Sequence, residues 1–329
     1  MKKTSTFLHT QLWMAGLFLL GILPFTTQGQ MKLIEDFGPN PGELKAFLHL
    51  PAQAKGPMPL VVALHGCLQN SEEYARETGW NEMGDKYGFA VLYPEQVASN
   101  NPNKCFSWFL EGDINKDEGE TQSIKSMIDY LLSSQDIDSS QIYVSGLSAG
   151  GCMTAVMMAT YPSLFKGGAV IAGVPYKATI TFEGALLAMQ GAVDQAPDQW
   201  GKLVHEQNPE YKGAYPNLVI FHGAEDPVVN RKNMEELAEQ WQALHKLTAE
   251  KAIVESNFDG NPNVTRKSYL DNMKKRKVVT FEVEKLGHAM PVSPGTGPKQ
   301  GGATGRFSVN AGFYVTYWAA EFFGLIEDK

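Results

Sequence analysis

The chain has 329 residues, of which 43% are hydrophobic and 19% charged, enough to build a large core and ordinary for a globular protein. Its formal charge of −8 offers no basic stripe to meet phosphates, which excludes nucleic-acid binding as a function. No repeat, low-complexity tract or Ser/Thr/Pro-rich linker interrupts residues 31–329, so a single domain over residues 30–329 is expected.

Residues 1–29 differ from the rest. Lys2 and Lys3 precede the apolar stretch Leu12–Phe25, and small or polar residues follow it. That is the order of a secretory signal peptide, and the apolar core is short for a membrane span, though an uncleaved anchor is the alternative. Cleavage near Gly29 would take the formal charge from −8 to −10. No cysteine sits at the end of the apolar stretch to carry a lipid, so the mature protein is expected to be exported and free of the membrane.

Along the remaining chain, short apolar runs alternate with segments of helical period. The first strand expected is Leu60–Gly66, running into the loop "LHGCLQN", and the second is Phe89–Glu95. The loop "CFSWF" follows at residues 105–109. A helix is expected where Ile124, Met127, Ile128, Leu131 and Leu132 share one face, then a strand over Gln141–Gly146 and a helix from Ala149 to about Tyr161. Further strands are expected at Gly168–Gly173, Leu218–Gly223 and Val278–Glu284. Met234, Leu237, Ala238, Trp241 and Leu244 mark another amphipathic helix, and a last one lies in "FYVTYWAAEFFGL". Continuously apolar strands need cover on both faces, which implies an α/β fold with a mostly parallel sheet between helices, its function at the carboxyl ends of the strands. Residues 175–215, between two strands, are long enough to form a cap over a site or simply to supply a covering helix.

Three cysteines are present. Cys67 and Cys105 both lie in loops and are the better pair for a disulfide in an exported protein, whereas Cys152 sits among small residues and reads as a buried free thiol.

Ser148 stands between Gly146 and Gly150, after a strand and before a helix. Gly-x-Ser-x-Gly in that setting is a nucleophile elbow, a strained turn that presents the hydroxyl at the sheet edge; a packing turn with an incidental serine is the bland alternative. A serine needs a general base, and the order of such sites places the base late, after its acid. Of seven histidines only His245 and His288 qualify; His245 falls within an amphipathic helix, and His288 lies in a strand-end loop, "KLGHAMPV". Asp226 closely follows the strand Leu218–Gly223 and begins an Asp-Pro turn, which favours it as the orienting acid over its neighbour Glu225. For an oxyanion, the backbone N–H of Ala149 directly follows the nucleophile, and that of Cys67 ends the Leu60–His65 strand. Trp108, Gln69 and Met290 are candidate substrate contacts, with ordinary core packing as the alternative for the aromatic. Neither His-x-x-x-His nor Cys-x-x-Cys appears, so no metal site is expected.

Together, "LHGCLQN", "GFAVLYPEQ", "CFSWF", "IYVSGLSAGGCMT", "FHGAEDPVV" and "GHAMPV", in that order, resemble the polyhydroxybutyrate-depolymerase-like family of secreted esterases, which are related to feruloyl and acetylxylan esterases. The resemblance covers nearly all of residues 40–326. It implies an α/β-hydrolase fold, a Ser148–Asp226–His288 triad, an oxyanion hole at the "LHGC" loop, a disulfide between that loop's cysteine and the "CFSW" cysteine, and no cofactor. The expected substrate is an ester of a hydroxyalkanoate oligomer or polyester; feruloyl or acetyl esters of plant polysaccharide are the alternative. A serine peptidase or a non-catalytic binding relative ranks below both. Relatives commonly carry an aromatic residue after "GHA", where this chain has Met290, and polymer-degrading members commonly carry a linker and a separate binding domain for which the chain has no room. Soluble esters or oligomers are therefore expected ahead of crystalline polymer.

Overall fold

The structure, a computed structural model, describes Met1 and residues 31–52, 56–248 and 251–326; the expected signal peptide lies outside the described residues. Among the described residues one sheet has ten strands: β1 (Lys32–Ile34), β2 (Lys45–His49), β3 (Met58–Leu64), β4 (Ala90–Glu95), β5 (Ile137–Leu147), β6 (Gly167–Ile171), β7 (Asn217–Gly223), β8 (Ile253–Ser256), β9 (Val264–Leu270) and β10 (Arg276–Val283). Their order across the sheet is β1-β2-β4-β3-β5-β6-β7-β10-β9-β8. The six strands from β4 to β10 in that order are mutually parallel, and antiparallel strands extend the sheet at both edges. The six parallel strands coincide, within a few residues, with the six expected from the apolar runs.

Alternation along the central strands divides the core in two. Leu60, Val62 and Leu64 of β3 and Leu218 and Ile220 of β7 face one side, while Val61, Ala63, Val219 and Phe221 face the other. The helices in chain order are α1 (Ser71–Thr78), α2 (Trp80–Tyr87), α3 (Glu111–Ile114), α4 (Gly119–Ser134), α5 (Ala149–Thr160), α6 (Phe182–Met189), α7 (Pro197–Gln207), α8 (Lys232–His245) and α9 (Val315–Phe323). Helices α4, α5 and α8 cover the first side with Ile124, Met127, Met153, Met157, Leu237 and Trp241. Helices α1, α2 and α9 cover the second with Tyr74, Trp80, Met83 and Trp318. A small parallel pair, β11 (Met290–Val292) and β12 (Ser308–Asn310), lies apart from the main sheet.

Residues 175–215 hold two helices. Helix α7 packs on α8, where the Trp200 indole donates to Glu236 at 2.7 Å. Helix α6 is tied by its carboxyl end to the loop after β7 and the first turn of α8: Asn230 N–H donates to Met189 O at 2.7 Å and the Asn233 amide to Ala188 O at 2.9 Å.

Strand order reverses at β3, which has β4 on one side and β5 on the other. In an open parallel sheet the crevice at such a reversal, outside the carboxyl ends of the strands, is where ligands bind. The loops after β3 and β5 are the ones that carry Cys67 and Ser148.

Cys67 and Cys105 form a disulfide that closes 38 residues of chain, a span for which the loss of unfolded-state entropy is worth about 3–4 kcal/mol. Cys152 is buried and free, and burial pushes its thiol up to about 12. Titration of the native protein with a thiol reagent should therefore detect no thiol, denaturation should expose one per chain, and reductant should raise that to three; two or more thiols without reductant would contradict the bridge.

Candidate active site

Ser148 sits between the end of β5 and the start of α5 with φ 55° and ψ −118°, a strained conformation for a residue with a side chain, of the kind that costs roughly 1–3 kcal/mol. Two glycines make the turn possible. A Cβ on Gly146 would lie 2.2 Å from the Gly150 carbonyl oxygen, and one on Gly150 would lie 2.2 Å from Leu64 O and 2.5 Å from His65 O. The first contact lets the chain fold back on itself, and the second lets α5 abut the end of β3.

His288 reaches Ser148 from the loop after β10. Its Nε2 lies 2.9 Å from Ser148 Oγ, and its Nδ1 lies 2.7 Å from Asp226 Oδ2. An ionised carboxylate only accepts, so the Nδ1 proton points at Asp226 and Nε2 is left to accept from the serine hydroxyl. The aspartate is itself held: its Oδ1 accepts from the N–H groups of Val228 at 2.8 Å and Val229 at 2.9 Å. Burial alone would raise the Asp226 carboxyl, but donation from His288 and from those two amides outweighs it and keeps the group below the usual carboxylate range. Glu225, the sequence competitor, is exposed and its N–H goes to Leu286 O. His245 is occupied elsewhere, its Nε2 3.1 Å from Pro216 O, and burial lowers it to about 4.

The loop after β3 is built to be rigid. Leu68 adopts φ 65°, its N–H donates to Asn103 O, and the disulfide fastens Cys67 to Cys105. His65 is buried with Nδ1 2.7 Å from Gly66 O, and its Nε2 accepts the Gln96 N–H at 3.0 Å. Both ring nitrogens are satisfied only by the neutral ring with its proton on Nδ1, and burial correspondingly lowers the imidazole to about 4. The Gln96 amide donates to Glu120 Oε1, and Glu120 Oε2 accepts the Ser107 N–H at 2.9 Å. A polar chain thus runs from His65 after β3 through Gln96 and Glu120 to the 105–109 loop.

Two of the three candidate substrate contacts turn inward. Gln69 is buried, its Oε1 accepting from Gly66 N–H at 2.9 Å and its amide donating to Glu77 at 3.0 Å, so it braces the loop and does not line a pocket. Met290 is fully buried in the second core layer as the first residue of β11, and the position is a packing site. Trp108 is also largely buried and packs edge-on against Phe109, whose ring in turn meets Phe182 of α6 at 5.9 Å. Residues that the sequence reading passed over join the site: Glu120, His65 as a loop brace, and His222. The His222 Nε2–H donates to Val229 O at 2.8 Å and lies 3.6 Å from Asp226 Oδ2, so it supports the acid loop from below. Burial lowers its imidazole. Its "FHGAED" spacing from Asp226 was the available signal.

A central parallel sheet with a serine elbow after β5, an aspartate after β7 and a histidine after β10, all at the carboxyl ends of parallel strands, defines an α/β-hydrolase. The family described as Esterase PHB depolymerase matches residues 44–254. The chain belongs to that family, and it is a carboxylic ester hydrolase. Poly(3-hydroxyalkanoate) depolymerase C of Paucimonas lemoignei is 38% identical over 322 residues, spanning 98% of this chain and 76% of that one. Feruloyl esterase B of Talaromyces stipitatus is 28% identical over 282 residues, 84% of this chain and 76% of that one. Among solved structures, an acetyl xylan esterase from Aspergillus awamori superposes with a TM-score of 0.73 at 25% identity, covering 79% of this chain and 94% of that one.

Gly150→Ala should force α5 off β3, with a loss of about 1–3 kcal/mol of stability and, from displacement of the serine, roughly 100-fold or more in kcat/KM. Gly112→Ala, where a Cβ meets nothing within 4 Å, should leave both unchanged. Thermal unfolding and ester turnover of the two variants make the comparison.

Glu120 supplies a pH test. Burial, then the neighbouring Asp113 carboxylate, raise its carboxyl from 4.5 to about 8, and donation from Ser107 and Gln96 pulls back against them. Between those values the folded chain holds a proton that the unfolded chain has lost, so this group's contribution to stability falls as pH rises through the window. Glu120→Gln removes that titration. The melting temperature of wild type minus that of the variant should therefore decrease from pH 5 to pH 9, and a difference constant with pH would refute it.

Proposed function

We propose that this protein is a secreted serine esterase that cleaves hydroxyalkanoate esters through an acyl-enzyme. The observation that carries the reading is the hydrogen-bonded chain Ser148 Oγ–His288 Nε2 and His288 Nδ1–Asp226. In this mechanism His288 takes the serine proton as Ser148 attacks the ester carbonyl, and Asp226 stabilises the imidazolium that forms. The developing oxyanion is held by the backbone N–H groups of Cys67 and Ala149; the latter begins α5 and so belongs to the first-turn donors that have no partner within the helix. His288 returns its proton to the leaving alkoxide, and water activated by the same ring releases the acid.

Support for a hydroxyalkanoate substrate comes from the Paucimonas lemoignei depolymerase, which is similar over almost the whole chain. The acetyl xylan esterase fold match supports a second reading, an acetyl or feruloyl ester of a polysaccharide. Secretion and removal of residues 1–29, leaving one domain over residues 30–329, are supported by the charged-then-apolar order of that segment and by the Cys67–Cys105 bridge, which needs an oxidising compartment to persist. Among the described residues, no helix is long and apolar enough to cross a membrane.

Assay of the purified protein on short-chain nitrophenyl esters, hydroxybutyrate oligomers, methyl ferulate and acetylated xylan tests the reading. Ser148→Ala should remove turnover down to the level left by binding and the oxyanion donors, and Asp226→Asn should lower kcat by roughly 10^4 because the imidazole loses its orienting acceptor. Ester turnover that survives Ser148→Ala would overturn the mechanism. A higher kcat/KM on acetylated xylan than on hydroxybutyrate oligomers would select the second substrate.

A further inference from the structure

Helix α6 is inside out. Its buried residues are Ala185 and Ala188, while Phe182, Leu186 and Leu187 are 61%, 53% and 59% exposed, and Ile180 just before it is 49% exposed. An amphipathic helix on a globular domain ordinarily turns its large apolar side chains to the core and its small or polar ones to water. Nowhere else among the described residues are four exposed large hydrophobics gathered in so short a stretch.

Position gives the face its meaning. At its amino end α6 meets the disulfide-tethered loop through Phe182 and Phe109. At its carboxyl end it is hydrogen-bonded to the loop that carries Asp226. The helix therefore bridges two of the loops that frame Ser148, and those loops add further apolar points: Leu110 on the first, Val228 on the second, and Leu68 beside Cys67, each about two-fifths exposed. These apolar points lie on α6 and on loops that flank Ser148.

Charge and size narrow the occupant. A helix that lies on anionic lipid carries Lys and Arg on its polar face; α6 has Glu183 in its first turn and no basic residue in its last, on a chain of net charge −8. Eight residues make a strip only about 12 Å long, small beside the roughly 800 Å² per partner that a stable dimer buries. An uncharged, water-insoluble solid needs only a few apolar anchors to hold the protein, and it presents the bonds to be cleaved at the same surface.

We propose that the outward face of α6, with Leu68, Leu110 and Val228, is an adsorption surface that docks the protein on solid aliphatic polyester with Ser148 facing the polymer. The proposal rests on the hydroxyalkanoate-esterase reading and reverses the expectation from sequence that soluble esters come first. It assigns to the catalytic domain itself a task for which no separate domain is needed.

The test separates adsorption from catalysis. The full mature chain carrying Ser148→Ala, so that the surface is not eroded, is incubated with an amorphous poly(3-hydroxybutyrate) film, and depletion from solution is measured. The same measurement is made with Ile180→Ser, Leu186→Gln and Leu187→Gln added, and with Leu187→Gln alone as a milder change. The expected result is at least a five-fold loss of adsorption for the triple variant and a smaller loss for the single one. With Ser148 restored, film hydrolysis should fall in parallel while turnover of a soluble nitrophenyl butyrate stays within two-fold of wild type. Equal adsorption of variant and parent, or no adsorption of the parent, overturns the surface and leaves the esterase reading standing. Loss of soluble turnover in the triple variant overturns the separation of docking from catalysis. A wild-type dimer that the triple change converts to monomer, or binding to neutral phospholipid vesicles as strong as to the film, assigns the face to another occupant and overturns the proposal. The esterase reading fails separately if Ser148→Ala retains soluble turnover.

Discussion

The arrangement of this molecule depends on one backbone contact, the approach of the first turn of α5 to the carboxyl end of β3. At Gly150 the two backbones lie so close that even a methyl group would sit 2.2 Å from a carbonyl oxygen. That closeness brings the helix start, with the Ala149 N–H, alongside the loop that begins at Gly66. The strain at Ser148 follows from the same contact, because the chain must reverse within one residue between β5 and a helix pressed against the neighbouring strand. Strain of this kind persists only where its surroundings leave no alternative. Here the sheet on one side and Gly146 against Gly150 on the other supply that constraint.

Given a serine held so firmly, the partners must be held equally well, and the structure does so with buried polar groups at each loop. The loop after β3 rests on neutral His65, on Gln69 and on the disulfide; the acid loop rests on two amides and on His222. Paired members of such buried networks confer rigidity and an unpaired one costs stability; among the groups named here His222 Nδ1 is buried without a hydrogen-bond partner. Glu120 joins Gln96, whose N–H reaches His65 of the first loop, to the aromatic 105–109 loop by accepting from the Gln96 amide and the Ser107 N–H. The His288 loop is pinned to the acid loop directly, by Ala224 N–H to Val283 O and Glu225 N–H to Leu286 O.

Legibility in the sequence followed burial. The six parallel strands are apolar on both faces, so their runs were visible without any alternation, and α4, α5, α8 and α9 announced themselves by period or by flanking glycines. The edge strands β1, β2, β8 and β9 did not: they are short or half-exposed, and "VTRKSYL" reads as polar because only Val264 and Ser268 are buried. Ser148, His288 and Asp226 could be singled out because chain order and strand-end position leave few competitors, and the structure brings those three together. The failures at Gln69 and Met290 have a common cause. A residue's presence in a functional loop does not tell which way its side chain points, and in both cases the inward side had a polar partner or a core layer to meet. His65 and Glu120 were illegible for the converse reason, since their use depends on contacts between segments 31 and 13 residues apart.

The long insertion shows the limit of composition most clearly. From residues alone, "FEGALLAM" is the more apolar of its two helices and "PDQWGKLVHEQ" the more polar, so α6 would be the natural core helix and α7 the solvent-facing one. The fold does the reverse: α7 buries Trp200 and Val204 against α8, and α6 buries only its alanines. Helix α7 packs beside α5 and α8, where the Trp200 indole is buried and satisfied by Glu236. Helix α6 is then left at the rim, where its small residues allow close seating on the acid loop and its large ones have nowhere to go but outward. An apolar face that is expensive to expose and sits at the entrance of an esterase site is best explained by what the site acts upon.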